Sequence, residues 1–183
     1  MIGPGFGETL AGARDGDEHA FALLWRDLNP AVLRYLRVVA PATAEDTAAD
    51  VWLEVCRGLE RFRGNEAGFR SWVFTVARMR AIDAARQAAR RPVRPVPPDQ
   101  LPDRPAADDP AEAAVEAQAT REALALIATL PPDQAEVVAL RVIAGLDAAQ
   151  VGEIVGKRAG TVRVLAHRGL RRLAQHLAER PAV

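Results

Sequence analysis

Residues 147–177 read DAAQVGEIVGKRAGTVRVLAHRGLRRLAQHL, and this stretch decides the fold class of the chain. Asp147 is a favourable N-cap for a short helix over 148–155, because its carboxylate can accept hydrogen bonds from the first free backbone N–H groups. Gly156 ends that helix. A longer helix follows over 160–177, where apolar residues recur at the 3.6-residue period of a helix packed on one side. A short helix, a tight turn and a basic second helix together predict a helix-turn-helix.

Basic residues are concentrated at the end of this motif that would enter a major groove. Residues 157–172 hold six basic residues and no acidic residue. Side chains at the start of the second helix can reach base edges, and arginine suits guanine, whereas later arginines are expected on phosphates. The candidate DNA contacts are Arg158, Thr161, Arg163, Arg168, Arg171 and Arg172. The alternative is an ordinary helical hairpin with a solvated basic face.

Proline divides the rest of the chain. Seven of the 13 prolines fall within residues 92–110. Proline lacks a backbone donor and restricts the residue before it, so neither a helix nor a central strand can run through this segment. The flanking parts are rich in Ala, Leu, Arg and Glu, which favour helices. We therefore expect an all-α fold of two small helical domains, 1–91 and 111–183, joined by an acidic, Pro-rich linker over 92–110.

Further helices follow from capping and breaking residues. Asp17 can cap a helix over about 18–39, which Pro30 could kink or split. Thr43 followed by Asp46 resembles a capping box and would open the next helix, which the Gly64-Asn65 pair breaks. The remaining helices are predicted over about 66–90, 111–129 and 133–144.

The formal net charge of the 183-residue chain is zero, with 24 basic and 24 acidic residues, which taken alone argues against a nucleic-acid binder. The charges are segregated, however. Residues 1–92 hold 13 basic and 12 acidic residues, 93–130 hold 3 and 7, and 131–183 hold 8 and 5. An acidic middle segment therefore cancels basic clusters in the two halves.

Several classes of function are excluded by composition. The one cysteine, Cys56, permits neither an internal disulfide framework nor a CxxC zinc site, and its place in an apolar helix predicts a buried structural thiol. No two of the three histidines are spaced for a metal site, so neither a metal nor a cofactor is expected. No nucleophile–base set supports an enzyme. The chain has no apolar run long enough to span a membrane and no signal peptide, so we expect a cytoplasmic protein without membrane contact.

A series of short motifs resembles those of a known protein family. AED at 44–46, VWL at 51–53, LERFRG at 59–64, FRSWVFTVAR at 69–78 and RAID at 80–83 resemble region 2 of the extracytoplasmic-function (ECF) group of bacterial sigma-70 family factors. The motifs LPPDQ at 130–134, LR at 140–141, GL at 145–146, GTVR at 160–163 and HR at 167–168 resemble region 4 of that group. The resemblance covers nearly the whole chain, in the right order and with the linker in the right place.

This resemblance implies a bacterial factor that binds the clamp and flap of core RNA polymerase and directs it to promoters. Region 2 would recognise the minus-ten element as a melted single strand, and region 4 would read the minus-thirty-five element as duplex DNA. Catalysis would belong to the polymerase. Members of the family are commonly held inactive by an anti-sigma factor, so such a partner is implied. The alternative is a stand-alone helix-turn-helix regulator that acts without core polymerase, which leaves the first domain unexplained.

The resemblance also assigns residues in the first domain. Asp46, Asp50 and Glu54 share one helix face, which could dock on the polymerase clamp or simply be solvated. The loop 63–68 matches the family's base-reading loop, but it would equally serve as a plain interhelical turn. Phe69 and Trp72 could stack on bases, but they lie on the apolar stripe of their helix and are expected to pack in the core. The minus-ten candidates are Arg63, Asn65, Arg70, Arg78, Arg80 and Arg86.

The chain departs from the family pattern at four positions. Met79 stands where the family often has Asn, so a contact with the melted strand is missing or supplied elsewhere. Lys157 stands where an apolar turn residue is usual, and Leu165 and Leu170 stand where Arg is frequent. His167 matches the region 4 motif and is either a phosphate contact or packed. We expect upstream DNA contacts that are weaker or differently placed than is usual.

Overall fold

A computed structural model describes residues 2–90 and 110–179, and for 110–116 it describes the backbone alone. The described residues form eight α-helices and contain no strand, which confirms the predicted all-α class. The predicted linker falls almost entirely outside the described residues. The helices are α1 (Phe6–Arg14), α2 (Glu18–Val39), α3 (Ala44–Gly58), α4 (Glu66–Arg90), α5 (Pro110–Ala128), α6 (Pro132–Val142), α7 (Ala148–Val155) and α8 (Ala159–Glu179).

The second helix starts as predicted and then passes through its proline. The Asp17 carboxylate accepts hydrogen bonds from the backbone N–H groups of His19 and Ala20. Pro30 lies inside α2 without splitting it. The Trp52 indole N–H donates to the Asn29 carboxamide oxygen at 2.9 Å. This bond ties the middle of α2 to α3, next to the turn that Pro30 deprives of a backbone donor.

The predicted capping box at Thr43 is wrong. A short 3₁₀ turn over Pro41–Thr43 runs directly into α3, and the Thr43 side chain makes no cap hydrogen bond. Its hydroxyl lies 3.3 Å from that of Thr47 instead. Helix α3 also ends earlier than predicted, at Gly58. A Cβ at Gly58 would lie 2.6 Å from the Trp72 ring, so the absence of a side chain lets α4 approach closely.

Helices α1 to α4 form one packed group. Leu24, Leu28, Val32 and Leu36 of α2 are buried, and so are the α3 and α4 stripes that contain Val51, Val55, Phe69 and Val73. Helix α1 was not predicted from the sequence. It buries Phe6, Leu10 and Ala13, and it packs along α2.

Helices α5 to α8 form the second group and contain the predicted helix-turn-helix. Asp147 and Gln150 form a reciprocal capping box at the start of α7, and Gly156 ends that helix with a positive φ of 69°. A Cβ at Gly152 would lie 2.5 Å from the Lys157 carbonyl oxygen, and one at Gly169 would lie 2.7 Å from Val138. These two glycines let the turn fold onto α7 and let α8 lie against α6.

The two groups pack against each other. Helix α2 contacts α5 and α6, and α4 contacts α7. The Arg78 guanidinium of α4 lies 2.9 Å from the Glu136 carboxylate of α6, and the Tyr35 hydroxyl of α2 lies 3.3 Å from the same carboxylate. This three-residue contact, which we name the domain contact, links the first group to the second. Among the described helices, none is both long and apolar enough to cross a bilayer.

Candidate nucleic-acid interface

The predicted upstream DNA contacts lie together on the exposed face of α8. The side chains of Arg158, Thr161, Arg163, His167, Arg168, Arg171 and Arg172 are all exposed. The exposure of His167 excludes the alternative that it is packed. Within residues 2–90 and 110–179, none of the five arginines takes part in an ion pair. Their charge therefore stays available to a ligand, and the helix N-terminus adds a favourable field for phosphate.

Among the cations of the motif, Lys157 alone forms an ion pair with another residue that the structure describes. Its ammonium lies 3.0 Å from the Asp133 carboxylate at the start of α6, and its side chain is one-third exposed. The pair explains how a lysine replaces the apolar turn residue usual in the family, because the ion pair takes over the docking of the turn. Lys157 is thus part of the scaffold of the motif.

The two leucine departures have different environments. Leu165 is half-buried against the core of the second group, so an apolar residue there adds packing. Leu170 is exposed, and nothing in the structure explains an apolar residue at that position.

A cleft of about 570 Å³ lies between α3 and α4, beside the predicted base-reading loop. Its apolar wall is the Trp72 ring, which stacks on Phe62 with centroids 5.3 Å apart and an interplanar angle of 21°. Met79 lies at the rim with 59% of its side chain exposed. The cleft also holds three arginines: Arg61, Arg63 and Arg80. An aromatic wall with cations around it is the arrangement that binds single-stranded nucleic acid.

The aromatic predictions divide between the cleft and the core. Phe69 is 1% exposed, so it packs in the core as expected. Trp72 is half-buried: it packs against the core as expected, and its ring also lines the cleft. The absence of a side chain at Gly58 lets one edge of the Trp72 ring pack closely against α3.

The loop itself is a capped turn with exposed side chains. The Asn65 carboxamide oxygen accepts a hydrogen bond from the Gly68 backbone N–H at 2.9 Å, as a helix cap does. The Arg63 guanidinium donates to the carbonyl oxygens of Glu60 and Phe62 at 2.5 and 2.8 Å. The Asn65 carboxamide oxygen therefore stabilises the turn. The side chains of Arg63 and Asn65 are both exposed to solvent.

Two predicted minus-ten arginines lie elsewhere. Arg78 is held by Glu136 in the domain contact. Arg70 pairs with Asp27 at 3.1 Å, and its guanidinium also reaches the Ala144 carbonyl oxygen of the second group at 3.4 Å. The structure thus places both arginines between the two helix groups, apart from the cleft.

The last predicted cation, Arg86, lies on the exposed outer part of α4. It lies 3.5 Å from Asp83, one turn earlier on the same helix. A side chain so exposed loses little on leaving such a pair.

The predicted acidic face is also divided. Asp46 and Asp50 are exposed on α3, as a docking face requires. Glu54 instead lies in the wall of the cleft, where its carboxylate is 2.5 Å from the Arg80 guanidinium. A prediction from helical spacing alone misses this difference, because the approach of α4 sets it. Leu53 lies beside the acidic residues with 55% of its side chain exposed.

Sequence reasoning missed Arg61 and misplaced Cys56. Arg61 belongs to the LERFRG motif, and its position just before the loop was the available signal. Cys56 is exposed on α3, so the prediction of a buried thiol is wrong. Partial burial nevertheless raises the pKa of the Cys56 thiol, which disfavours the reactive thiolate. No metal-binding cluster occurs among the residues that the structure describes.

Comparison with known proteins agrees with this geometry. Residues 24–91 match the family described as Sigma-70 region 2, and residues 120–173 match the family described as Sigma-70, region 4. The chain is 36% identical to the ECF RNA polymerase sigma factor ShbA of Streptomyces griseus, over 91% of this chain and 92% of ShbA. It is 33% identical to the ECF RNA polymerase sigma factor SigD of Mycobacterium tuberculosis, over 97% of this chain and 86% of SigD.

A solved structure shares the fold. CnrH, in complex with the cytosolic domain of CnrY, superimposes with a TM-score of 0.63 at 18% identity, over 94% of this chain and 97% of CnrH. The two region matches fall on the two packed helix groups, and the relatives match nearly end to end. The chain therefore belongs to the extracytoplasmic-function group of the sigma-70 family of RNA polymerase sigma factors.

Proposed function

We propose that this sigma factor reads a promoter in two parts while bound to core RNA polymerase. The first part, residues 1–91, binds the polymerase and the melted minus-ten element. The second part, residues 111–183, reads the minus-thirty-five element as duplex, and residues 92–110 connect them. The observation that carries the proposal is the cationic face of α8, whose arginines form no ion pair with the part of the chain that the structure describes. This face belongs to a helix-turn-helix whose turn is fixed by Gly152 and Lys157.

The upstream element is read by the start of α8. Arg158 directly precedes α8, Thr161 and Arg163 lie within its first two turns, and all three are exposed, as base-edge contacts must be. Arg168, Arg171 and Arg172 follow farther along the helix, where they contact phosphates and add affinity without sequence information.

The minus-ten strand binds at the cleft between α3 and α4. A flipped or unstacked base needs an aromatic surface, and Trp72 offers one at the cleft wall. Arg61 and Arg63 are exposed beside Trp72, and they neutralise phosphate charges of the DNA strand. Arg80 becomes available when the strand competes with Glu54. Met79, at the rim, supplies an apolar contact where the family often has an asparagine.

Core polymerase docks on α3. Asp46 and Asp50 present an acidic surface to the basic helix pair of the clamp, and the exposed Leu53 adds apolar area next to them. The leucine matters because exposed ion pairs contribute little on their own. The flap contact is assigned to the second part of the chain.

Promoter binding requires the two helix groups to separate. Arg78 is held by Glu136 in the domain contact, and Arg70 is held by Asp27 and the Ala144 carbonyl. Both side chains are largely covered between the groups, which leaves little room for a phosphate to reach either guanidinium. We assign the described arrangement to the state that is not bound to DNA. An anti-sigma factor that holds the groups in place would keep the factor inactive. The complex of CnrH with the cytosolic domain of CnrY supports a partner of this kind.

The proposal is tested by adding the purified chain to core RNA polymerase with a library of promoter fragments. Run-off transcripts that depend on both core and factor are the expected result. Absence of core binding and of transcripts would contradict it. Binding of the DNA without core would favour a stand-alone helix-turn-helix regulator, the alternative that the second helix group alone could support.

A further inference from the structure

Helix α1 contacts the loop that follows α3 through Arg14, whose guanidinium bonds to two backbone carbonyl oxygens of that loop. We propose that Arg14 is a positioning residue for minus-ten recognition, through its hold on residues 59–66. This inference rests on the proposed role of the cleft and loop in binding the melted strand. Arg14 does not itself line the cleft, and it contacts the cleft wall only at the Phe62 carbonyl oxygen, which also accepts from Arg63, so its effect on the strand is indirect.

The Arg14 contact closes the C-terminal end of α3. Its Nε donates to the Leu59 carbonyl oxygen at 3.2 Å, and a terminal guanidinium nitrogen donates to the Phe62 carbonyl oxygen. The last carbonyl groups of a helix have no partner within the helix, so an outside donor fixes where the chain leaves it. A cation is well suited to that end of the helix dipole. Arg14 thereby sets the path of residues 59–62.

A second contact fixes the other end of the loop. The Glu66 carboxylate, at the start of α4, accepts hydrogen bonds from the backbone N–H groups of Ile2 and Gly3 at 2.6 and 3.1 Å. These backbone groups belong to the turn just before α1. The same N-terminal segment therefore holds the loop at its entry, 45 and 48 positions along the chain from Arg14, and at its exit, 64 and 63 positions from Ile2 and Gly3.

An apolar contact connects the two ends. The Phe6 ring of α1 packs against Phe69 with centroids 5.7 Å apart, and Phe69 in turn contacts Phe62 at 5.3 Å and Trp72 at 5.7 Å. Phe62 and Trp72 form the apolar wall of the cleft. Helix α1 thus reaches the cleft wall through one buried ring, in addition to its polar hold on the backbone.

These contacts of the N-terminal segment are expected to affect recognition of the minus-ten bases as well as stability. Arg61, Arg63 and Asn65 all lie inside the held segment, and their side chains are exposed. Base discrimination depends on placing such groups to within a fraction of an ångström of the bases. If Arg14 were lost, the loop would sample more positions and contacts to right and wrong bases would become more nearly equal. Polymerase docking on α3 and duplex reading by α8 would not change.

The test replaces Arg14 in the full chain. Arg14→Ala is compared with Arg34→Ala as a control. Arg34 is exposed, and among the described residues its guanidinium bonds to the Pro30 carbonyl oxygen of its own helix alone. Run-off transcription is measured with core polymerase on two libraries, one randomised at the minus-ten element and one at the minus-thirty-five element. We expect Arg14→Ala to reduce minus-ten discrimination about tenfold, as loss of hydrogen bonds from a charged group implies. The affinity for core and the upstream preference stay as in the parent and the control.

A milder variant keeps the test decisive if Arg14→Ala unfolds. Arg14→Lys keeps a cation that can donate to one of the Leu59 and Phe62 carbonyl oxygens but loses the planar guanidinium that bonds to both. We expect a smaller loss of minus-ten discrimination in the same direction, with hydrogen exchange of the 59–66 amides faster than in the parent. If each of the two variants that folds keeps the minus-ten discrimination of the parent, the proposal is overturned.

The failure of the underlying function is distinguished by Arg61→Ala. If Arg61→Ala changes minus-ten preference and Arg14→Ala does not, the cleft reads the strand but Arg14 does not position it. If neither changes the preference, the assignment of the cleft has failed, and the role of Arg14 fails with it.

Discussion

The Lys157 ammonium lies 3.0 Å from the Asp133 carboxylate, so an ion pair ties the turn of the helix-turn-helix to the start of α6. Its neighbour Arg158 has no such partner within the described parts of the chain, and it is exposed. Two adjacent cations therefore have different roles. Lys157 belongs to the scaffold, and Arg158 faces the proposed duplex.

Replacement of Lys157 is expected to spare DNA recognition. Lys157→Leu removes the ion pair and restores the residue type usual in the family. Because the pair is largely at the surface, the free energy of unfolding is expected to change by less than about 1 kcal/mol. The minus-thirty-five preference stays the same, measured by transcription from promoters randomised at that element. Arg158→Ala is the matched control and is expected to weaken upstream binding. An equal loss in both variants would contradict this division.

Replacing Arg163 and replacing Arg172 are expected to have different effects on DNA binding. Arg163→Ala removes a base contact and is expected to reduce discrimination at the upstream element by about 1–3 kcal/mol. Arg172→Ala removes a phosphate contact, so it weakens binding to all sequences equally and lowers the slope of log affinity against log salt by about one. Titrations of polymerase holoenzyme with matched and mismatched duplexes, at several salt concentrations, measure both quantities. An unchanged base preference in Arg163→Ala would remove it from the reading set.

Local signals predicted much of the fold. Asp17, Asp147 and Gly156 act through hydrogen bonds or backbone angles within a few residues, so the boundaries of α2 and α7 were predicted from the sequence. The breaker at Gly64 was recognised, but the end of α3 at Gly58 was not. Gly58 packs directly against the Trp72 ring of another helix, and tertiary contacts of this kind leave no periodic trace in the sequence.

The candidate site was only partly predictable from the sequence, again because contacts between distant residues leave no local signal. The α8 residues form one exposed face, because helical spacing alone places them. Glu54 has the same spacing as Asp46 and Asp50, yet it turns into the cleft and binds Arg80. Arg70 and Arg78 lie between the helix groups, which depends on packing between residues far apart in the chain. Helix α1 was missed because its sequence, FGETLAGAR, is short and rich in small residues.

The α3 surface offers a third prediction. Leu53→Ala combined with Asp50→Asn is expected to weaken the affinity for core polymerase by tenfold or more, because the change removes exposed apolar area as well as charge. Asp50→Asn alone is expected to have a smaller effect. Glu45→Gln is the control, because Glu45 is exposed at the start of the same helix and pairs with Arg37. Isothermal titration calorimetry of the unlabelled factor with core polymerase measures binding. Wild-type affinity in the double variant would exclude this face.

Tyr35 reports on the domain contact, because it is the only tyrosine of the chain. Its ring is fully buried against Phe74, and its hydroxyl faces Glu136. Burial, and next the Glu136 charge, raise the pKa of the Tyr35 phenol far above its usual value near 10, while Arg78 acts in the opposite direction. A raised pKa means that the folded state disfavours the phenolate. The Tyr35 contribution to stability is therefore fully present below about pH 10 and is lost as the pH rises above it.

Absorbance at 295 nm during alkaline titration measures this ionisation directly. We expect no phenolate in the folded chain until the protein unfolds, and a transition near pH 10 in denaturant. Glu136→Gln removes the carboxylate charge but keeps Arg78, so the transition of the folded chain is expected to move to lower pH. Glu153→Gln, at an exposed position on α7, is expected to leave it in place. A folded wild-type chain that titrates near pH 10 would show that Tyr35 is open to solvent, and hence that the two helix groups are already apart.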